Sequence, residues 1–349
     1  MSASFTEGQI RDALRSVKYP GFNRDIISFG LVRGVEVTGR DILVELALAT
    51  RDPQVPDRIR ADTEAALGAL PGAGSVTVRI DLQKPPEAAQ PGATRIAGVA
   101  HILAVASGKG GVGKSTVAAN LAAALTAKGL RTGLCDCDLY GPSIALMFGT
   151  VERPLATEDN RILPIEQHGL KLMSMGFLLD DDAPAILRGP MVTRYTQQFL
   201  RQVEWGELDC LVLDLPPGTG DIQLTIVQTV ALDGALIVST PQEVALIDAR
   251  KAAAMFAKVN VPVLGLVENM SYFLCPSDGR RYDIFGSGGG AREARRLGVP
   301  LLGEIPIDMA TRESGDKGCP IVTAHPKSPI SQAFLSIATR LADSWGLRA

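Results

Sequence analysis

Residues 108–115 read Gly-Lys-Gly-Gly-Val-Gly-Lys-Ser, the G-x-x-x-x-G-K-S spacing of a phosphate-binding loop. The chemistry is anion capture. Gly108, Gly110, Gly111 and Gly113 let backbone N–H groups turn onto phosphate oxygens, where a side chain would block approach. Val112 completes the loop. Lys114 is placed to reach the β- and γ-phosphates, and the Ser115 hydroxyl, followed by Thr116, to ligate Mg²⁺. Lys109 adds a second cation, which is favoured electrostatically beside a triphosphate.

Acids recur where such a loop needs them. Asp136 and Asp138 stand at the end of an apolar run, and period-two alternation puts both on one strand face. Asp138 is the candidate for orienting an attacking water. Asp136 either supports Mg²⁺ or its waters, or caps the following turn. Asp214 closes the apolar run Leu211-Val-Leu and is the expected partner of Ser115 in holding Mg²⁺. The Pro216-Pro-Gly-Thr-Gly220 stretch after it reads as a switch loop anchored by Asp221. Asn269, Pro306 and Asp308 follow two further strand-like runs and are candidates for holding the adenine.

These residues require a scaffold, and the chain supplies one. Residues 99–349 alternate apolar runs with helical stretches. Strands are expected at His101–Ser107, Thr132–Cys137, Leu170–Met175, Cys210–Leu215, Ala235–Thr240, Val263–Asn269 and Pro300–Ile305. Runs of this continuity suit strands covered on both faces, so the fold class is α/β, a doubly wound, mostly parallel sheet. In open sheets of this kind ligands sit beyond the strand carboxyl ends, where every candidate above falls. Residues 1–82 form a separate small α/β unit in the order α-β-β-β-α-β. Its first helix is opened by a Thr6/Gln9 capping box, and its strands lie at Ile27–Val32, Val35–Val37, Ile42–Leu48 and Ser75–Asp81 around a helix at Val55–Leu70. Proline-rich residues 83–98 read as a linker.

Composition narrows the function. With 349 residues and 46% hydrophobic content the chain can fill two cores, and a net charge of −3 gives no bulk attraction to nucleic acid or anionic membrane. Met1–Pro20 has no apolar leader core and no stretch reaches membrane-spanning length, so a cytoplasmic location without stable membrane association is expected. The segment Ser331–Leu347 is amphipathic but poor in cations, which favours a packed terminal helix. The five cysteines suit reduced thiols. Cys135, Cys137 and Cys210 sit in apolar runs as packing residues, Cys319 has no partner in sequence, and the three histidines form no metal-like cluster.

The loop with its extra Lys109 resembles the deviant Walker A loop of the partition, MinD and nitrogenase-iron-protein superfamily. Further matches narrow the resemblance to the Mrp/ApbC iron–sulfur cluster carriers. They are Asp138-Leu-Tyr-Gly-Pro-Ser143, Arg188-Gly-Pro-Met191, Asp214-Leu-Pro-Pro-Gly-Thr-Gly-Asp221, Glu268-Asn-Met-Ser-Tyr-Phe273 and Asp283-Ile-Phe-Gly286, spread over nearly all of residues 99–349. Residues 1–82 resemble the small domain often fused ahead of this ATPase in iron–sulfur assembly proteins. The resemblance implies a slow ATPase that binds ATP and Mg²⁺ as a homodimer, with Lys109 reaching the partner's nucleotide. It also implies a [4Fe–4S] cluster at the dimer interface, passed on to apo-proteins and ligated here by Cys275. The family's Cys-x-x-Cys reads Cys275-Pro-Ser-Asp278 in this chain, so two thiolates per dimer come from this loop. Aspartate oxygens can complete the ligation but are harder ligands than sulfur. The competing expectation is a nucleotide-gated dimeric switch of the partition or MinD type with no cluster. A ligase or reductase partner would need a substrate pocket or an intact four-thiolate cluster, and no residues point to the former.

Overall fold

A computed structural model describes residues 5–18, 20, 25–27, 31–48, 54–82, 93–139, 141–157, 161–174, 177 and 199–347. The Arg188–Met191 motif and Tyr140 lie outside them, as does most of the expected linker. The chain divides into two compact units, Met1–Gln90 and Pro91–Ala349, a boundary inside the proline-rich stretch.

In the first unit α1 (Glu7–Leu14) is opened by Thr6, whose hydroxyl accepts from Gln9 N while its own N–H donates to Gln9 Oε1 at 3.0 Å. Both orphan donors are thereby met, as the capping box predicts. β1 (Val32–Thr38) pairs antiparallel with β2 (Asp41–Leu48), α2 (Gln54–Gly68) follows, and β3 (Val76–Leu82) pairs parallel with β2. Ile10, Leu14, Ile59 and Leu67 from the helices meet Ile42, Val44, Leu46 and Leu48 of β2 in a core belonging to this unit alone. The strand expected at Ile27–Val32 falls partly outside the described residues, which omit residues 28–30. Among the described residues Ile26 and Ile27 lie in a turn, with Ile26 N donating to Val17 O and Leu31 N to Ile26 O, and the ladder begins at Val32. Ile26 is buried by that turn rather than by a ladder, so the described order is α-β-β-α-β.

The second unit contains β4 (Val99–Ala106), α3 (Lys114–Ala127), β5 (Thr132–Asp136), α4 (Ile144–Met147), β6 (Ile165–Gln167), β7 (Leu170–Ser174) and β8 (Leu208–Asp214). It continues through α5 (Asp221–Thr229), β9 (Gly234–Ser239), α6 (Glu243–Lys258), β10 (Val263–Glu268) and the short pair β11 (Phe273–Leu274) and β12 (Arg281–Tyr282). It closes with α7 (Gly289–Leu297), β13 (Leu301–Glu304), α8 (Met309–Asp316), α9 (Ile321–Ala324) and α10 (Pro329–Ser344). All seven expected strands are present, in the sheet order β13-β10-β9-β4-β8-β5-β7-β6. Every neighbouring pair is parallel except the edge pair β6–β7. From β4 the chain first moves toward β5 and β7 and later toward β9, β10 and β13. The winding therefore reverses around β4, and the crevice at its carboxyl end is where such a sheet binds ligands.

Each face of the sheet carries its own core. On one side the alanine-rich α3 lies nearly flush, from Val117 to Leu125, with Phe334, Ile337 and Leu341 of α10 against it. Small side chains let α3 approach both the sheet and α10. On the other side Phe199, Trp205, Ile226, Val227 and Phe256 cover the sheet. The apolar stripe of the terminal helix is thus spent on the core. Among the described residues no helix is long and apolar enough to cross a membrane.

Candidate functional site

The loop between β4 and α3 has the backbone that its glycines permit. Gly111 and Gly113 take φ of +82° and +79°, values that L side chains adopt at a cost. Space is equally restrictive at two positions. A Cβ on Gly108 would run into the backbone carbonyl of Asp248 on α6, and one on Gly113 into the side-chain amide of Asn269. Gly110 differs from the other three. It lies exposed at the loop tip, outside the left-handed region, and a Cβ on it would meet nothing within 4 Å. The chain's own packing leaves Gly110 free to carry a side chain, so its smallness matters only to what approaches from solvent. Gly113 is the N-cap of α3 and supplies no side chain to it. The first-turn N–H groups and the positive end of a 14-residue helix therefore face the loop, an arrangement suited to phosphate.

Two paired strands bring the acids to this point. Asp136 and Asp214 are register partners across β5 and β8, and both are buried. Lys114 Nζ lies 2.5 Å from Asp214 Oδ1 and donates to Ser115 Oγ at 3.2 Å. The other carboxylate oxygen, Asp214 Oδ2, is buried without a hydrogen-bond partner. Burial raises the Asp214 carboxyl against the downward pull of Lys114. Burial, reinforced by the charge of Asp214, raises Asp136 to about 6. Lys114 is thus paired with Asp214, Asp136 adds a second buried carboxyl beside it, and an orphan oxygen remains where a divalent cation or its waters would satisfy it.

Asp136 is occupied by the loop after β5. It accepts from Asp138 N (3.0 Å), Ser143 N (2.9 Å), Ile144 N (3.2 Å) and Ser174 Oγ (3.2 Å). Of the two roles open to it, capping is the one these bonds fill. Asp138 accepts from Gly141 N at 3.3 Å and acts electrostatically on Asp214, which places it at the same strand ends. The expected switch loop docks on the base of the phosphate loop, since Gly218, at φ +95°, donates its N–H to Ser107 O at 3.0 Å. Asp221 is the exposed first residue of α5.

The adenine candidates are distributed differently from expectation. Asn269 is buried, and its Nδ2 donates to the Val112 carbonyl at 2.8 Å, so this amide braces the phosphate loop. Asp308 caps α8, its Oδ2 accepting from Thr311 N at 2.7 Å. Pro306 is half-buried between them. Sequence reading missed Glu268, a buried acid whose Oε1 accepts from Ser271 Oγ at 2.6 Å and whose Oε2 accepts from Gly290 N at the start of α7. A glutamate ending an apolar strand just before the Asn-Met-Ser run was its only signal.

Cys275 sits at the tip of the β11–β12 hairpin, which the sequence left as loop. Phe273 faces Tyr282 and Leu274 faces Arg281 in the ladder, and Cys275 N donates to Arg280 O at 2.9 Å. The Cys275 sulfur is 3.1 Å from Ser277 Oγ. Asp278 accepts from Arg280 N at 2.9 Å, and that bond, with the Cys275 thiol, holds its carboxyl below the ordinary range. Cys275 and Asp278 therefore present sulfur and oxygen from one turn. Cys135, Cys137 and Cys210 are fully buried, and burial raises the thiols of Cys135 and Cys210. Among the described residues no group of three or more His, Cys, Asp or Glu could hold a metal within one chain.

Comparison with known proteins gives the family and the fold. The family described as NUBPL iron-transfer P-loop NTPase matches residues 98–342, and a family of iron–sulfur cluster assembly proteins matches residues 7–80. An iron–sulfur cluster carrier protein of Synechocystis is 43% identical over 99% of both chains. One from Deinococcus radiodurans is 47% identical over 96% of this chain and 95% of its own. Among solved structures, a nucleotide-binding protein of Archaeoglobus fulgidus in complex with ADP is 38% identical with a TM-score of 0.60, covering 69% of this chain and 94% of its own. The cell-division ATPase MinD of Pyrococcus furiosus, 24% identical with a TM-score of 0.55 over 70% of this chain and 99% of its own, shares the fold.

Proposed function

From a chain that belongs to the NUBPL iron-transfer P-loop NTPase family, we propose an iron–sulfur cluster carrier that loads and delivers [4Fe–4S] clusters to apo-proteins under the control of ATP. One observation carries the reading. The strand-end segment that braces the phosphate loop through Asn269 runs on directly into the hairpin presenting Cys275 and Asp278.

Backbone N–H groups from Gly110 to Ser115 would cradle the phosphates, and Lys114 would leave Asp214 for the β/γ-phosphate oxygens. Ser115 and Asp214 fit a Mg²⁺ ion, because Asp214 Oδ2 is buried without a partner beside the buried carboxyl of Asp136. The ion supplies neutralisation of phosphate charge. Asp138 is the residue placed to orient the attacking water, giving ADP and phosphate slowly. Lys109, half-buried on the loop, is the candidate to reach a second protomer's nucleotide. A homodimer also fits the ligand count, since one turn offers one thiolate and one carboxylate while a four-iron cluster needs about four donors. Asn269 would act mainly by bracing the phosphate loop, leaving Pro306 as the candidate to border the base, with Asp308 holding the start of α8 beside it.

Anaerobic reconstitution with ferrous iron and sulfide tests the proposal. The expected result is a visible charge-transfer band with about four irons per dimer, lost in Cys275→Ala. An iron-free protein, or an unaltered band in Cys275→Ala, would overturn it. A second reading is a nucleotide-gated switch without cargo, and the carboxylate at Asp278 favours it. Strong ATP-dependent pelleting with DNA or liposomes by an iron-free protein would establish that alternative.

A further inference from the structure

The peptide unit joining Val112 to Gly113 has two ends. Its carbonyl oxygen accepts from Asn269 Nδ2 at 2.8 Å. A trans peptide is planar, so its N–H, on Gly113, points the opposite way, away from the Asn269 amide. Holding one end aims the other. Asn269 thus orients a phosphate donor from behind, and a phosphate on the Gly113 N–H would in turn fix the carbonyl that Asn269 grips.

Asn269 does not act alone. Its own N–H donates to Ser239 O at 2.8 Å, and Glu268 before it is anchored to Ser271 and to α7. Met270 takes φ of +53°, which an unbranched non-glycine residue adopts only under constraint. Its terminal methyl lies 3.5 Å from where a Cβ on Gly113 would stand. Beyond it Ser271 N donates to Ile305 O at 2.9 Å, Ile307 N donates to Tyr272 O at 2.7 Å, and Phe273 enters the hairpin. Cys275 is six peptide steps past Asn269, a reach of roughly 20 Å at most. Each step but Met270 is tied to the sheet or to the hairpin ladder, so a displacement at the Val112 carbonyl has little slack in which to dissipate.

We propose that Asn269 and Met270 form a positioning link that couples phosphate occupancy of the loop to the setting of the Cys275 hairpin. Cys275 matters as a cargo ligand only through the function proposed above, but the link itself is a property of the cargo-free chain. Coupling of this kind is reciprocal. A ligand that settles the Val112–Gly113 peptide biases the hairpin, and a load on the hairpin biases nucleotide affinity by the same factor.

The test uses the full-length, iron-free protein. Mg·ADP is the probe, because it fills the phosphate loop without the γ-phosphate that would drive protomers together. The alkylation rate of Cys275 is followed by peptide mass mapping, with half-buried Cys319 as the internal control. The expected result is a change of about fivefold or more in the Cys275 rate on saturation with Mg·ADP, with Cys319 unmoved. In Asn269→Ala and in Met270→Gly, each saturated with Mg·ADP and checked for native circular dichroism, the change should collapse to less than twofold. Met270→Gly relieves the positive φ and so keeps the test open should Asn269→Ala unfold. No response in the wild type, or a full response in a folded, saturated Met270→Gly, would overturn the link. Failure of iron reconstitution would leave this result standing, so the two proposals fail separately.

Discussion

At the scale of single residues the site is governed by a shortage of positive charge. Lys114 and Asp214 are a buried pair, and removing one partner leaves the other uncompensated. Lys114→Ala should lower stability by about 3–5 kcal/mol and abolish ADP binding, as read by chemical denaturation and fluorescent-nucleotide titration. A variant of unchanged stability would mean that Asp214 is protonated and the pair is not ionic. Asp136 gives a pH dependence of definite sign. Its folded carboxyl titrates at about 6, raised by burial and by Asp214. A Mg²⁺ ion beside these carboxyls favours the ionised form, so binding should release a proton below that value and none well above it. Mg²⁺ affinity in the presence of ADP should therefore strengthen as pH rises from 5 to 7 and then level, with up to one proton released near pH 5.5 by calorimetry in two buffers. A flat profile would place the metal away from this pair. The loop glycines, Lys114 and Asp214 were legible in sequence because strand, loop and helix are contiguous there. The partner of Asn269 was not, since Val112 is 157 positions away and only the folded sheet brings them together.

At the scale of elements, α3 and α10 hold the loop in place. α10 has Phe334 fully buried against α3. Phe334→Ala should cost about 3–5 kcal/mol, while ADP affinity measured on the fraction that stays folded changes little. Ala122→Leu, on the flush side of α3, should cost about 1–3 kcal/mol by overpacking and also weaken ADP binding, because the helix carries the loop on its N-terminus. Equal effects of the two on affinity would show that α3 transmits nothing to the loop. The seven buried strands were readable as continuous apolar runs. The hairpin was not, because each of its strands has two residues and pattern needs length. Ile26 and Ile27 are the opposite case: among the described residues these apolar positions serve a turn and a core, where hydrophobicity alone reads as the start of a strand.

At the scale of the whole molecule, the two units have separate cores. A fragment spanning Pro91–Ala349 should fold with a melting profile of its own and bind Mg·ADP within about twofold of the full chain, as checked by circular dichroism and nucleotide titration. Loss of folding in the fragment would show that the first unit contributes to the second unit's core. The division between Gln90 and Pro91 falls inside the proline-rich stretch read as a linker, where apolar content drops. A homodimer and recipient proteins are proposed from resemblance and ligand count, since interfaces between molecules leave no periodic trace in one sequence.

The Cys275 hairpin hangs outside both cores of its unit, with Leu274 and Tyr282 open to water. Among the described residues the hairpin is held by its own ladder and by backbone bonds to the sheet rather than by a metal, unlike a zinc finger that collapses when stripped. The molecule can therefore hand over what it holds and travel back empty without coming apart, ready for another round.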